Sequence, residues 1–447
     1  MRVPVLVVLP ATDPLRNAAV ASIMEKASAA PLTSAALPQG IELDPTFPPV
    51  AIGTGRPQDV SVAGFEAAVS ESFTVRGFIE TDAPDEIPEE VGGRPVFSDP
   101  RIEPFVTCGG TQAVGNAAAV RTSLQVAQLA ARGLDGDRVA IVIMDTGINL
   151  AHLTKQLGSP PRFDAANSWT PPGGTTAPGR HPVDHGTMCA FDALIAAPRA
   201  TLVDFPILST SAPGGSVFAG TLNIALQAYA RLLSNWAVSF TPGTLSGYNG
   251  LVVSNSWGMF HPSWDFPAGH RGRYCDNPRH PFNLIVAALA VSGADIVFAA
   301  GNCGAQCADG RCQSRTTGTI MGASASDSVL TLAGCDTNDQ RVGYSSQGPS
   351  ISGMFQQKPD LTAYTHFVGS EAYGPGSPDS GTSTSCPVAA GCVAALRTRL
   401  SPGTTPPASL FAQLNATARV VGGAAGWNGD YGHGIIDPLA AATTLGL

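Results

Sequence analysis

Charge is scarce in this chain: Asp, Glu, Lys and Arg make up 13% of 447 residues, against 44% hydrophobic residues. Such a balance describes a globular, soluble protein rather than a solvated polyelectrolyte. Basic residues are the scarcer sign, with 25 Lys and Arg against 34 Asp and Glu. The resulting net charge of −9 argues against nucleic acid as the main partner. Long apolar runs are absent, none reaching the roughly 18–20 residues that a bilayer span needs. The start, Met1 to Pro10, lacks a full signal-peptide apolar region with a small-residue cleavage site. With nine cysteines, an odd number, this reads as a reducing, cytoplasmic location. No internal repeat or low-complexity segment stands out.

What is present is glycine and proline, 50 and 37 residues, and hence many turns. The length suffices for one large α/β core and an appended domain. Three parts are expected: an N-terminal α+β domain (1–107), a linker with a helix (108–137) and a main domain (138–447). In the first, Val3–Leu9 reads as a strand. Asp13–Ala29 reads as a helix with Asp13 at the N-cap and Pro14 at N1. Strands at Pro48–Gly53, Phe73–Glu80 and Arg94–Ser98 and a short helical piece at Glu86–Val91 complete a β-α-β-β-α-β order. That order suits a ferredoxin-like domain.

The linker region, Thr111–Gly133, is Ala-rich and helical. From Arg138 onward strands and helices alternate. Strands are expected at Arg138–Met144, Ala200–Leu208, Leu251–Ser254 and Asp295–Ala300. Helices are expected from His185 to Ala197, Ser216 to Ala237 and Phe282 to Gly293. Such alternation predicts a parallel sheet with helices on both faces, its functional residues at the carboxyl ends of the strands.

Four residues fall at such places. Asp145 follows a wholly apolar strand in Ile143-Met144-Asp145-Thr146-Gly147, where a desolvated carboxylate needs a hydrogen-bonding partner. His185 opens a helix in Asp184-His185-Gly186-Thr187. Asn302 ends a buried strand in Ala299-Ala300-Gly301-Asn302. Ser383 lies in Gly381-Thr382-Ser383-Thr384-Ser385-Cys386-Pro387, a tight turn that delivers a hydroxyl and an N–H to the positive end of an apolar helix. Each is weak alone: Asp-Thr-Gly and Gly-Asn are ordinary turns, and most single histidines are structural. The order Asp, His, Asn, Ser is far more specific. It differs from the Ser-Asp-His order of α/β-hydrolases and the His-Asp-Ser order of chymotrypsin-like enzymes.

On these motifs, residues from about 138 to 442 resemble the subtilisin-like (S8-type) serine proteases. Ala197-Pro198-Arg199-Ala200-Thr201-Leu202, Ser254-Asn255-Ser256-Trp257-Gly258, Tyr344–Pro349, Lys358–Ala363 and Gly432–Asp437 agree with it. The resemblance implies an Asp145–His185–Ser383 triad with Asn302 and the Ser383 N–H as oxyanion donors, hydrolysing peptide bonds in extended peptide or protein substrates. It further implies a substrate strand laid beside Asn255, Ser256, Trp257 and Gly258, near Ala300 and Gly301. Trp257 is either a pocket wall or a core residue. The first 107 residues are expected to act as an intramolecular inhibitor and chaperone, removed by cleavage between Phe105 and Gly110. Departures are Met188-Cys189 after His-Gly-Thr, Thr384-Ser385-Cys386 after Ser383, and Tyr364-Thr365-His366; none removes a catalytic atom. Rival readings are a catalytically silent peptide-binding or adaptor member, or an esterase or transpeptidase.

The residues call for no cofactor and no metal; calcium is allowed, but no ligand set for it stands out. Cys303, Cys307 and Cys312, beside Asn302, are the unusual feature. Free thiols are the favoured reading, ahead of a loop-closing disulfide with Cys275 or Cys335 as partner, and of a zinc site that lacks a fourth ligand. Cys386 and Cys392 read as small hydrophobes.

Overall fold

The computed structural model of the chain describes residues 1–10, 40–44, 47, 49–52, 72–105, 112–208, 220–236, 244–421 and 426–447. Its centre is a seven-stranded parallel sheet. The strand order is Leu361–Tyr364, Leu330–Cys335, Asp295–Ala299, Gly250–Asn255, Val139–Met144, Thr201–Phe205 and Arg162–Phe163. Every residue of the Val139–Met144 and Gly250–Asn255 strands is buried, as expected of parallel strands covered on both faces. The helices Leu222–Trp236 and Pro281–Val291 pack with one face of the sheet, and His185–Ala193 and Thr382–Arg397 with the other. The strands at Leu330–Cys335 and Leu361–Tyr364 were not anticipated from the sequence. The His185 helix ends at Ala193, earlier than the expected Ala197.

Before this body lies a small antiparallel sheet. Arg2–Pro10 is flanked by Ser72–Glu80 and Arg94–Ser98, and Val50–Ile52 pairs beyond Ser72–Glu80. The four strands expected from the sequence are present in this sheet, and Glu42–Leu43 pairs with Ser72–Glu80 as a further one. The helix expected over Asp13–Ala29 lies outside the described residues. The one expected over Glu86–Val91 is absent. Instead there is a single 3-10 turn at Pro84–Glu86, then a hairpin pairing Glu90–Val91 with Arg94–Pro95. The reason is local: Pro88 interrupts any helix, and Gly92 and Gly93 both take positive φ, 56° and 71°, which suits a two-residue hairpin turn.

The nucleophile-like helix Thr382–Arg397 is wholly buried. Near its start Pro387 has no N–H to give to the Ser383 carbonyl four residues back. That carbonyl accepts instead from Ser256 Oγ at 2.9 Å and Cys189 Sγ at 3.4 Å. At Gly391 an added Cβ would run into the Ala193 carbonyl of the neighbouring helix. The two helices that carry His185 and Ser383 therefore approach backbone to backbone.

At the far end of this helix Arg397, fully buried, makes a two-pronged ion pair with the equally buried Asp295. Nε donates to Oδ2 at 2.6 Å and Nη2 to Oδ1 at 2.7 Å. Removing one partner of such a pair strands the other in the core. Arg397→Met is expected to lower unfolding stability by about 3–5 kcal/mol, read as a drop in denaturant midpoint at unchanged slope. Adding Asp295→Leu to it should recover much of the loss. Equal losses in the single and double variants would show that the pair does not hold the helix.

Candidate active site

The parallel strands deliver three of the expected residues to one sheet edge. Asp145 follows Met144, Ser256 follows the Gly250–Asn255 strand, and Asn302 follows the Asp295–Ala299 strand by three positions. His185 and Ser383 arrive from the first turns of their helices. Asp145 Oδ1 lies 2.7 Å from His185 Nδ1, and the Thr146 backbone N–H donates to the same oxygen at 2.7 Å.

The Cys189 thiol ties the group together. Its sulfur is 3.6 Å from Asp145 Oδ2, 3.8 Å from His185 Nδ1 and 3.4 Å from the Ser383 carbonyl. Burial pushes this thiol's pKa well up, so it stays neutral. In the sequence Cys189 stood out only as a departure from the family pattern. Asp145, His185 and Cys189 also have ligand atoms close enough for a metal ion. With Nδ1 already engaged by Asp145, the geometry is that of an oriented imidazole.

Burial pushes the His185 pKa down, while the charge and hydrogen bond of Asp145 and the charge of Asp184 push it up. It settles above the ordinary imidazole value of 6.5. Nε2 has no hydrogen-bond partner of ordinary geometry, although the Phe105 backbone also raises the pKa, which places that carbonyl near the ring.

Asn302 Oδ1 accepts from the Thr382 N–H at 2.9 Å and the Thr382 hydroxyl at 3.0 Å. The Asn302 side chain is thereby fixed against the start of the serine helix. Gly381, with φ at +87°, is the point of closest approach. A Cβ there would lie 2.9 Å from Asn302 Nδ2 and 2.8 Å from the Phe105 carbonyl oxygen. No other residue type tolerates both that backbone angle and that crowding.

The space beside Ser383 is filled by the chain itself. Arg101–Pro104 forms the middle strand of a three-stranded sheet, between Gly220–Thr221 and Trp257–Gly258. The Phe105 N–H reaches the Ser256 carbonyl at 3.3 Å. The Ser383 hydroxyl donates to the Phe105 carbonyl at 2.8 Å and lies 3.2 Å from the Ser256 carbonyl. The Phe105 ring sits edge-on to Phe260, with centroids 5.1 Å apart. It also presses on Gly258, where a Cβ would come within 2.5 Å of the ring, and lies 3.6 Å from the same point on Gly301.

The other expected pocket residues divide. Gly258 and Gly301 border Phe105, and Ser256 meets it through its backbone. Trp257 turns its side chain into the core against Phe282 and Phe298, so the pocket-wall alternative is not what forms. The Asn255 side chain is inward too, bonded to Tyr229 and to the carbonyls of Val253 and Val297. Ala300 packs in a separate buried cluster with Met259, Cys275 and Ile320.

The cysteine reading needs correction. Cys303 and Cys312 form a disulfide, and Cys307 is also disulfide-bonded, whereas Cys275 and Cys335 are free. Spacing alone does not reveal that the Cα atoms of Cys303 and Cys312 lie 5.7 Å apart, within bridging range.

Among the described residues, no helix is long and apolar enough to cross a membrane. No curated protein matches the chain. Among solved structures, the crystal structure of MycP1 from the ESX-1 type VII secretion system is similar, at 19% identity and a TM-score of 0.49. The match covers 76% of this chain and 88% of that one. The profile described as "Subtilase family" (peptidase S8) matches residues 136–434. With that match spanning both strand-end motifs and both helix-start motifs, the chain belongs to the subtilase family.

Proposed function

We propose that the chain is a serine endopeptidase that cuts its own backbone between Phe105 and Val106, and that residues up to Phe105 then hold the cleft as an intramolecular inhibitor. What carries the reading is the contact of 2.8 Å between Ser383 Oγ and the Phe105 carbonyl, in a strand paired to the cleft edge. An extended segment of this kind places a backbone carbonyl where the nucleophile attacks.

The chemistry follows from the side chains. Ser383 turns its hydroxyl from the Phe105 oxygen to His185 Nε2, which takes the proton as Oγ bonds to the Phe105 carbonyl carbon. Asp145 holds Nδ1–H and stabilises the imidazolium without taking the proton. Asn302 Nδ2 and the Ser383 N–H receive the oxyanion. His185 then protonates the Val106 nitrogen as the C–N bond breaks. Water, deprotonated by the same imidazole, frees the Phe105 carboxylate.

Sequencing the new N-terminus of purified protein tests this, with Val106 as the expected first residue. A terminus elsewhere, with Phe105 still joined to Val106, would overturn the assignment of the bond. Comparing a peptide with its ester, with and without an amine acceptor, separates peptidase from esterase and transpeptidase.

The pH dependence follows from His185. A base must be neutral to accept the proton, so activity is lost as pH falls through its pKa. Because that pKa is raised, the acid limb of kcat/KM should be centred above pH 6.5. A limb at or below that value would mean that Asp145 does not hold the imidazole during turnover.

A further inference from the structure

We infer that Arg311 is a specificity-determining residue that selects an acidic side chain two positions before the residue whose carbonyl is cut. The inference rests on reading Phe105 as that residue. Two positions earlier stands Glu103, which is 5% exposed. Glu103 Oε2 accepts from Arg311 Nη1 at 2.6 Å, and the same nitrogen reaches the Pro104 carbonyl at 3.2 Å. One guanidinium nitrogen therefore reads a side chain and the adjoining backbone together.

The guanidinium is held for this task. Nε and Nη2 are bound by Asp309 Oδ1 and Oδ2, both at 2.9 Å, which leaves Nη1 directed at the cleft strand. Its Cζ lies over the ring of Phe260, 3.6 Å from the centroid, and that ring also borders Phe105. Arg311 sits in the loop closed by the Cys303–Cys312 disulfide, and that loop is tied to Asn302 by the Asp309 N–H at 2.9 Å. The cysteines beside Asn302 thus have a physical purpose: they anchor a substrate-reading arginine to the residue expected to hold the oxyanion. Glu103 has one further partner, Arg101, which belongs to the same cleft strand and travels with it.

Quenched fluorescent peptides of sequence Ala-Ile-Xaa-Pro-Phe-Val-Thr test this, with Xaa as Glu, Gln or Lys. Ala replaces the arginine of position 101, so only the enzyme can pair with Xaa. The full chain, after its own processing and once the residues up to Phe105 have been released (checked by intact mass), is assayed as wild type, Arg311→Ala and Arg311→Glu, each counted by fluorophosphonate labelling of Ser383. Wild type should cut the Glu peptide with kcat/KM about tenfold above the Gln peptide, since the pair is only partly exposed. That ratio should fall to about one in Arg311→Ala, and Arg311→Glu should favour Lys over Glu. Equal rates for Glu and Gln in wild type, or a ratio that persists in Arg311→Ala, would overturn the inference while the protease reading stands. Labelled wild type that does not cut after Phe would overturn the cleft reading, and this inference with it. Absence of labelling would sink the protease reading itself.

Discussion

Ser383→Ala is expected to leave the chain at its full mass, while wild type separates into two pieces by cleavage of the Phe105–Val106 bond. The same change should abolish fluorophosphonate labelling and lower peptide turnover by on the order of 10⁶-fold, the loss known for subtilisin itself. The size follows from chemistry: without Oγ no acyl-enzyme forms, and only the oxyanion donors and substrate positioning remain. The fold should survive, because Ser383 Oγ bonds only to the Phe105 and Ser256 carbonyls, and its own carbonyl stays with Ser256 and Cys189. Intact mass read beside labelling decides between readings. A variant that still processes would point to cleavage by another protease. A wild type that neither labels nor processes would favour a catalytically silent, peptide-binding member.

Asp145→Asn should cost about 10⁴-fold in kcat with little change in fold. The carboxylate accepts from His185 Nδ1 and from the Thr146 N–H. Both contacts fall on Oδ1, so an amide that keeps its oxygen there sets NH₂ against the Cys189 thiol, while the flipped amide turns NH₂ toward Nδ1 and demands the opposite tautomer. Nε2 would then carry the proton and could not take one from Ser383. The imidazolium formed during reaction would lose its counter-charge as well. The acid limb of the pH profile should move down, because the largest upward influence on His185 is gone. A kcat within tenfold of wild type, at unchanged unfolding midpoint, would remove Asp145 from the proposed mechanism.

Much of this site was readable because its parts are local. Asp145 follows a wholly apolar strand, His185 and Ser383 open apolar helices, and Asn302 follows a strand and a glycine; each placement depends on a handful of neighbouring residues. The misses share a different cause. The expected helix over Glu86–Val91 overlooked Pro88 and the paired glycines of a hairpin. Trp257 was ambiguous because alternation along a strand says which side chains share a face, but not which face meets the core. The pairing of Cys303 with Cys312 depends on how a loop folds back. The place of Cys189 appears only when Asp145 and the Ser383 carbonyl, from two distant segments, meet its sulfur.

The amino-acid order alone therefore determined the alternating architecture, the family and the four residues placed at strand ends and helix starts, since periodicity and turn chemistry act over a few positions. Tertiary structure decided that Arg101–Pro104 pairs as a strand with Trp257–Gly258, that Phe105 meets Ser383, and that Arg311 meets Glu103. Those contacts join segments more than a hundred residues apart, and strand register between such segments is set by the shape of the assembled cleft rather than by either segment's own pattern.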